Sequence, residues 1–164
     1  MKHLAWATYY LVLRLLGWPA LLGFYMINNI TRNKRARALM VAPDGQILLV
    51  INALGDRRWT LPGGGMKRGE TPAQAAAREV AEELHGEYEV RRFELLGEVR
   101  VGSYRAPLLL LRLSAEEIPQ LHSNKWEIRA YRWCTQTDIP LPHQPLVRQA
   151  LELLSRRSEI GTIS

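Results

Sequence analysis

Three carboxylates lie close together in a stretch of the chain where their spacing suits them to bind a cation. Glu79, Glu82 and Glu83 occupy positions i, i+3 and i+4, which share one face when the stretch is helical. Carboxylates that close repel each other, and the repulsion raises the pKa values of some of them. A hard divalent cation such as Mg²⁺ relieves this repulsion, because it takes oxygen ligands and keeps several waters. The pattern therefore favours metal-assisted attack of water on a phosphate.

The residues before this stretch supply other groups that such a site needs. Arg78 can pair with Glu70 or with a neighbouring carboxylate and hold the geometry. The triple glycine of residues 63–65 permits close approach of the backbone, so that a main-chain carbonyl can face an ion. The alternative is a solvated acidic helix face behind a flexible glycine turn, and each feature taken alone favours that alternative.

A helix must carry the carboxylates, and the sequence marks both of its ends. Thr71 is suited to the N-cap, Pro72 to the first helical position and Gln74 to the reciprocal position of a capping box. The alanines that follow have the highest helix propensity. Gly86 is a typical helix stop. The sequence therefore predicts a helix over residues 72–85.

Strands are predicted on both sides of this helix. The apolar runs RALMVAP and QILLVIN flank Asp44 and Gly45, a pair typical of hairpin turns. Further strands are predicted at residues 88–101, 106–113 and 127–134, and an amphipathic helix over residues 144–157. This order predicts an α/β fold in which a mixed β-sheet lies between helices.

The beginning of the chain differs from the rest in composition. Residues 4–27 carry a single charge, Arg14, and are otherwise apolar or aromatic. A basic cluster follows, made up of Arg32, Lys34, Arg35 and Arg37. We therefore divide the chain into an apolar helical segment with a basic flank, residues 1–34, and a domain over residues 35–164.

Two interpretations of the apolar segment are functional. It is either a kinked membrane anchor or a helix-turn-helix that lies in the membrane interface. Arg14 and Pro19 argue against a simple span. In both cases the basic residues favour a cytoplasmic domain attached to the membrane surface through residues 4–37. The alternative is that apolar helices pack on the domain or on a second subunit of a homodimer.

Charge and cysteine content limit the partners and the cofactors. The net charge of +6 and the isoelectric point near 9.8 suggest acidic partners, which include nucleotides, nucleic acid and anionic lipid. Cys134 is the single cysteine, which excludes an intramolecular disulfide and a cysteine metal cluster.

Taken together, the glycine, the carboxylates and the arginine resemble a known motif. They resemble the Nudix box of the Nudix hydrolases. The matching positions are Gly64, then after five residues Glu70, after seven more Arg78-Glu79-Val80, and after one more Glu82-Glu83. The box covers residues 64–86, and the resemblance extends over about residues 36–157. It implies a Nudix-like α/β/α sandwich and a hydrolase that cleaves the diphosphate linkage of a nucleoside diphosphate derivative with Mg²⁺ or Mn²⁺.

The resemblance also implies roles for individual residues. Glu79, Glu82 and Glu83 would bind the metal, and Glu79 or Glu83 would also orient or deprotonate water. The carbonyl of Gly63 or Gly64 would complete the coordination. Within the box, Gly64, Glu70 and Arg78 are the structural residues. A glutamate from a later strand or loop serves some members of the family as base, and Glu127 is the candidate, with a solvent-facing strand residue as the alternative.

One position departs from the Nudix box. The motif has glycine directly after Glu-Glu-Leu, whereas this chain has His85, and Gly86 follows. We expect the helix to run one residue longer before its glycine stop, with His85 exposed at its C-terminal end, where a basic side chain suits the helix dipole. The change lies beyond Glu83, so the metal site should be unaffected.

The substrate is less well specified by the sequence. Trp59, Tyr104 and Trp126 could stack on a base, and Arg57 could bind phosphate, with ordinary packing and surface roles as the alternatives.

Two other functions remain open. One is a regulatory domain that binds a nucleotide without turnover, and the other is an RNA 5′ pyrophosphohydrolase, which the basic composition permits.

Overall fold

A computed structural model of the chain describes residues 34–162. The predicted apolar segment lies outside these residues apart from Lys34, and so do both membrane interpretations of residues 4–27. In the part that the structure describes, no helix is both long enough and apolar enough to cross a membrane.

Five strands form one sheet, and two helices accompany it. The strands are β1 (Arg37–Val41), β2 (Ile47–Asn52), β3 (Glu94–Val101), β4 (Tyr104–Arg112) and β5 (Ile128–Cys134), and the helices are α1 (Pro72–Leu84) and α2 (Pro145–Thr162). The strand order is β3-β4-β1-β2-β5. Strands β1 and β4 run parallel and the other neighbours run antiparallel, which confirms the predicted mixed sheet.

Alternating residues of the sheet belong to two separate cores. Ala38 and Met40 of β1 pack in one cluster with Val80 of α1. Leu39 and Val41 pack in the other cluster with residues of α2 that include Val147 and Ala150. Successive side chains of a strand point to opposite faces, so α1 and α2 cover opposite faces of the sheet. This is the α/β/α arrangement that the sequence predicts.

The third strand begins later than predicted. Residues 90–92 form a short 3₁₀ turn, in which the Phe93 amide donates to the Val90 carbonyl. Arg92 in this turn forms an ion pair with Glu117, and its guanidinium lies 5.2 Å from the centre of the Tyr88 ring. These contacts fix the segment as a turn, so the strand starts at Glu94.

The start of α1 agrees with the prediction. The Thr71 hydroxyl accepts a hydrogen bond from the Gln74 amide at 3.2 Å, and the Gln74 side chain accepts from the Thr71 amide at 2.9 Å. Both hydrogen bonds of a capping box are therefore formed, and they satisfy amides that have no partner inside the helix.

The end of α1 differs from the prediction. The helix ends at Leu84, and His85 itself adopts the left-handed conformation, with φ of 53°. Its side chain is exposed, as expected, and its amide donates to the Ala81 carbonyl. Gly86 is not the stop. It is a glycine because a Cβ there would lie 2.6 Å from the Tyr88 ring and 2.8 Å from Leu121.

Candidate active site at the glycine loop

Residues 61–65, which we call the glycine loop, run alongside the beginning of β1. The Ala38 amide donates to the Pro62 carbonyl at 2.9 Å, and the Ala36 amide donates to the Gly64 carbonyl at 3.1 Å. Gly63 has φ of 125°, and a Cβ on it would lie 2.3 Å from the Ala36 carbonyl oxygen. No other residue fits at Gly63 without moving the backbone.

The second glycine of the loop makes room for a carboxylate. A Cβ on Gly64 would lie 2.5 Å from Glu79 Oε2 and 2.7 Å from Oε1. The Glu79 carboxylate is thus packed against the backbone of the loop, and its side chain is only 13% exposed. Burial raises the pKa of Glu79, an effect that the Arg78 hydrogen bond opposes and that Glu82 and Glu127 increase.

Glu83 is held against the same loop from one turn further along α1. It is buried, and its Oε2 accepts a hydrogen bond from the Gly63 amide at 3.0 Å. Burial raises the pKa of Glu83 to about 7, and the charges of Glu79 and Glu127 act in the same direction. The Gly63 hydrogen bond and the Arg37 charge oppose this shift. Glu79 and Glu83 are therefore two adjacent carboxyls whose ionisation is disfavoured unless a cation balances it.

Arg78 joins the loop to the carboxylates of the helix. Its Nε and Nη2 donate to the two oxygens of Glu70 at 2.8 and 3.1 Å, and Nη2 also donates to the Gly65 carbonyl at 2.8 Å. Its Nη1 donates to Glu79 at 2.8 Å and to Glu82 at 2.9 Å. The hydrogen bond to Glu70 is the main cause of the raised pKa of Arg78, and it lowers the pKa of Glu70.

Glu82 differs from the other two carboxylates of the helix. Its side chain is 45% exposed, and its second oxygen lies 3.8 Å from the Lys67 ammonium. The structure thus brings Glu79 and Glu83 together at the glycine loop and leaves Glu82 at the solvent edge.

Arg37 belongs to this region, although its place in the sequence suggested a different role. It was counted in a basic cluster facing the membrane, but it is buried in β1, 3% exposed. Its Nη1 donates to the carbonyls of Leu61 and Gly63 at 3.0 and 2.7 Å. Burial lowers the pKa of Arg37, whereas the Glu83 charge and the Tyr104 hydroxyl act in the opposite direction. The available signal was an arginine at the first position of an otherwise apolar strand.

Glu127 lies immediately before β5, where it is exposed. Asn124 connects it to α1. The Asn124 amide donates to the Glu83 carbonyl at 2.8 Å, and its side-chain Nδ2 donates to the Glu82 carbonyl at 3.2 Å and to Glu127 Oε1 at 3.4 Å. Asn124 was not among the predicted site residues, and its sequence context carries no motif that would have indicated it.

The oxygen atoms at the glycine loop fit a hard divalent cation. Glu79 Oε1 binds Arg78 and Glu83 Oε2 binds Gly63, which leaves one oxygen of each carboxylate without a hydrogen bond from residues 34–162. Mg²⁺ is commonly held by one or two carboxylates with several waters. In the described part of the chain, no three His, Cys, Asp or Glu side chains already converge on one point. This agrees with the separate position of Glu82.

The predicted carbonyl ligands have partners inside the protein. The Gly63 carbonyl accepts from Arg37, and the Gly64 carbonyl accepts from the Ala36 amide. A carbonyl oxygen has two lone pairs, so each can still contact a cation. Their metal role stays a prediction, as do the roles of the carboxylates.

The three predicted substrate-binding residues lie in different surroundings. Arg57 is exposed in the loop that precedes Trp59, with φ of 55°. Trp59 and Tyr104 are both half-buried against the core on the α2 side of the sheet. Trp59 is further fixed by backbone hydrogen bonds to Pro142 and Gln144. Their role in substrate binding stays a prediction, and packing already accounts for the positions of Trp59 and Tyr104.

Comparison with known proteins identifies the class to which this fold and site belong. A family model of the NUDIX domain matches residues 31–154, which is more than half of the chain. The chain therefore belongs to the Nudix family, as the resemblance of the box implies.

Individual relatives agree with this assignment. The MutT NUDIX hydrolase from Burkholderia pseudomallei is 28% identical with a TM-score of 0.64, covering 74% of this chain and 96% of its own. An Ap4A hydrolase from C. elegans is 17% identical with a TM-score of 0.62, and the match covers 78% of this chain and 98% of the relative. This likeness shows the fold alone. An RNA pyrophosphohydrolase from Marinomonas sp. (strain MWYL1) is 31% identical over 86 residues. That match spans about half of each protein, 52% of this chain and 52% of the relative. Neither membrane attachment nor a homodimer receives support from these comparisons.

Proposed function

We propose that this chain is a divalent-metal-dependent hydrolase that cleaves the diphosphate linkage of a nucleoside diphosphate derivative. The observation that carries the proposal is the pairing of Glu79 and Glu83 at the glycine loop. Both carboxyls are shielded from solvent, both have raised pKa values, and each keeps one oxygen without a hydrogen bond from the described residues. Such a pair is costly to ionise without a cation and suited to binding one.

The residues around the pair have complementary roles in this proposal. Glu79, Glu82 and Glu83 would hold the ion, Glu82 from the solvent edge. Arg78 fixes Glu79 and the loop, and the Gly63 amide fixes Glu83. When bound, a divalent cation supplies positive charge against the diphosphate and makes water more acidic.

A group that accepts the proton of the attacking water is also required. Glu127 is exposed, hydrogen-bonded to Asn124, and close enough to Glu79 and Glu83 for its charge to raise their pKa values. It therefore suits the role of base. Glu83, with a pKa of about 7, is the alternative base from within the box.

An RNA 5′ pyrophosphohydrolase is a second candidate function. The Marinomonas relative named for that activity supports it, although the match covers only half of each chain. The net charge of +6 is compatible with RNA. Both functions use the same site, and they differ in the group that the phosphates are attached to, which is part of a small nucleotide derivative in one case and an RNA chain in the other.

A substrate panel tests the proposal on the full chain with Mg²⁺. It contains ADP-ribose, NADH, diadenosine polyphosphates, nucleoside triphosphates and 5′-triphosphorylated RNA, with release of phosphate or nucleotide as the readout. We expect turnover of one class and a loss of at least about 100-fold in Glu83→Gln, because removal of one electrostatic catalytic contact costs about that much. The matched control is Glu152→Gln on the exposed side of α2, which should keep the wild-type rate.

Two results would contradict the proposal. Turnover that survives Glu83→Gln would remove this carboxylate from the reaction. Tight nucleotide binding without turnover of any member of the panel would favour a regulatory binding domain instead.

A further inference from the structure

Two large apolar side chains are almost fully exposed at one end of the sheet. Trp126 is 90% exposed and Leu54 is 88% exposed. The loops that carry them are joined by a hydrogen bond of 2.7 Å from the Ala53 amide to the Glu127 carbonyl. This bond continues the antiparallel register of β2 and β5, in which Asn52 pairs with Ile128. Leu54 and Trp126 each adjoin one of the two residues that this bond joins, so the loops that carry them are neighbours.

The backbone that carries Trp126 is held in place despite the exposure of its side chain. The Trp126 amide donates to Asn124 Oδ1 at 3.1 Å, and the amides of Glu127 and Ile128 donate to the Asn124 carbonyl at 3.0 and 2.7 Å. Asn124 is in turn bonded to the Glu83 carbonyl at the end of α1. Trp126 is therefore an exposed ring on a turn that is attached directly to the helix of the candidate active site.

The surroundings of this pair indicate what kind of partner it suits. Glu127, the next residue after Trp126, accepts from Asn124 Nδ2 at 3.4 Å, and the same Nδ2 donates to the Glu82 carbonyl near the end of α1 at 3.2 Å. Lys125 precedes Trp126, and Arg57 lies in the loop that follows Leu54, both of them exposed cations. The loops of the apolar pair therefore carry exposed cations that favour phosphate, and one of the loops is bonded to the helix of the carboxylate site.

We propose that Trp126 and Leu54 form a stacking platform for the aromatic base of the nucleotide whose diphosphate is bound at the glycine loop. This inference rests on the proposed function and adds the binding site for the base to it. One tryptophan and one leucine offer far less area than the roughly 800 Å² per partner of a stable protein interface. A single flat ring matches that size, and stacking on tryptophan tolerates any base.

A matched pair of ligands tests this platform on the full chain with Mg²⁺. The ligands are α,β-methylene-ADP and methylenediphosphonate, which share a non-hydrolysable diphosphate and differ by the nucleoside. We expect Trp126→Ala to weaken binding of α,β-methylene-ADP by about 5- to 100-fold and to leave methylenediphosphonate unchanged. Trp126→Phe should retain most of the affinity, and Leu54→Ser should show a smaller loss. The control is Leu95→Ser, at another exposed leucine on edge strand β3.

A second readout follows the ring itself. In protein labelled with 5-fluorotryptophan, the ¹⁹F signal that disappears in Trp126→Phe should move when α,β-methylene-ADP is added and stay in place with methylenediphosphonate. Equal affinity of wild type and Trp126→Ala for α,β-methylene-ADP would overturn the platform. So would a change in sedimentation coefficient in Trp126→Ala, which would assign the ring to contacts between copies.

Failure of the proposed function gives a different pattern. In that case wild type would turn over no member of the substrate panel, or would keep its turnover in Glu83→Gln, whatever the effect of Trp126→Ala on binding of α,β-methylene-ADP. Loss of the platform alone leaves binding of methylenediphosphonate and Glu83-dependent turnover in place.

Discussion

Two arginines hold the glycine loop from opposite sides, and they do so by different means. Arg78, on the helix side, is 19% exposed in its side chain and bonds mainly to carboxylates. Arg37, on the sheet side, is buried and bonds to the carbonyls of Leu61 and Gly63. Their pKa values move in opposite directions, because hydrogen bonds to carboxylates raise that of Arg78 and burial lowers that of Arg37.

The difference shows how the loop is built to serve a charged site. The helix side concentrates negative charge, which Arg78 balances in part. The sheet side is a buried support in which Arg37 satisfies backbone carbonyls that would otherwise lack a donor. Glu83 lies between the two sides, since its carboxylate bonds to Gly63 and is influenced by both Arg37 and Glu79.

The largest expected effect is the pH dependence of stability that Glu83 confers. Its folded-state pKa of about 7 lies above its ordinary value of 4.5, so the folded state binds the proton more tightly than the unfolded state. Its contribution to stability is therefore fully present below pH 4.5 and is lost as the pH rises through 7. The measurement is the free energy of unfolding by urea in EDTA. Between pH 4.5 and pH 8, the value for wild type should fall by about 3 kcal/mol relative to the value for Glu83→Gln. A constant difference across this range would contradict the account of its burial.

Arg37→Ala should cause the next largest effect, a loss of about 2–3 kcal/mol in the free energy of unfolding. The substitution leaves the carbonyls of Leu61 and Gly63 without their donor in a buried region. Urea unfolding in low salt and in 1 M NaCl measures the loss, which should be similar in both, because these contacts are shielded from salt. A stability equal to wild type would show that water replaces the guanidinium at no cost.

Arg78→Ala should cost less, about 1–2 kcal/mol, and the loss should shrink in 1 M NaCl. Removing the guanidinium leaves Glu70, Glu79 and Glu82 without their shared cation at a partly exposed site. The comparison with Arg37→Ala under the same two salt conditions is the control. Equal salt sensitivity of the two variants would contradict the distinction between the sides of the loop.

His85→Gly should have the smallest effect, a stabilisation of about 0.5 kcal/mol. His85 adopts φ of 53°, which is strained for a residue with a side chain, and glycine relieves that strain while it adds entropy to the unfolded chain. Thermal unfolding measures the gain, and Gly86→Ala is the matched opposite change, expected to destabilise because its Cβ meets the Tyr88 ring. Destabilisation by His85→Gly would show that the histidine makes a needed contact.

Local signals in the sequence predicted much of this domain. The hairpin around Gly45, the capping box at Thr71 and Gln74, and the mixed sheet all depend on residues close in sequence or on clear periodicity, and all are confirmed. The membership of the Nudix family was also predicted, since the box is a fixed spacing of polar residues and glycine.

Other features depend on contacts between distant residues, and these were missed. Arg37 was assigned to a basic surface because its carbonyl partners come 24 and 26 residues later. The end of α1 was placed one residue late, because glycine is the usual left-handed residue and Gly86 is instead required by packing against Leu121. Asn124 was overlooked because its partners lie on α1, more than 40 residues earlier in the chain.

Binding of Mn²⁺ to the full chain at pH 7.5, followed by electron paramagnetic resonance, tests the central claim most directly. The claim is that Glu79 and Glu83 bind a divalent cation at the glycine loop. Wild type and Glu152→Gln should bind Mn²⁺ with equal affinity, and Glu83→Gln should bind it at least about tenfold more weakly. Equal affinity in wild type and Glu83→Gln would contradict the claim.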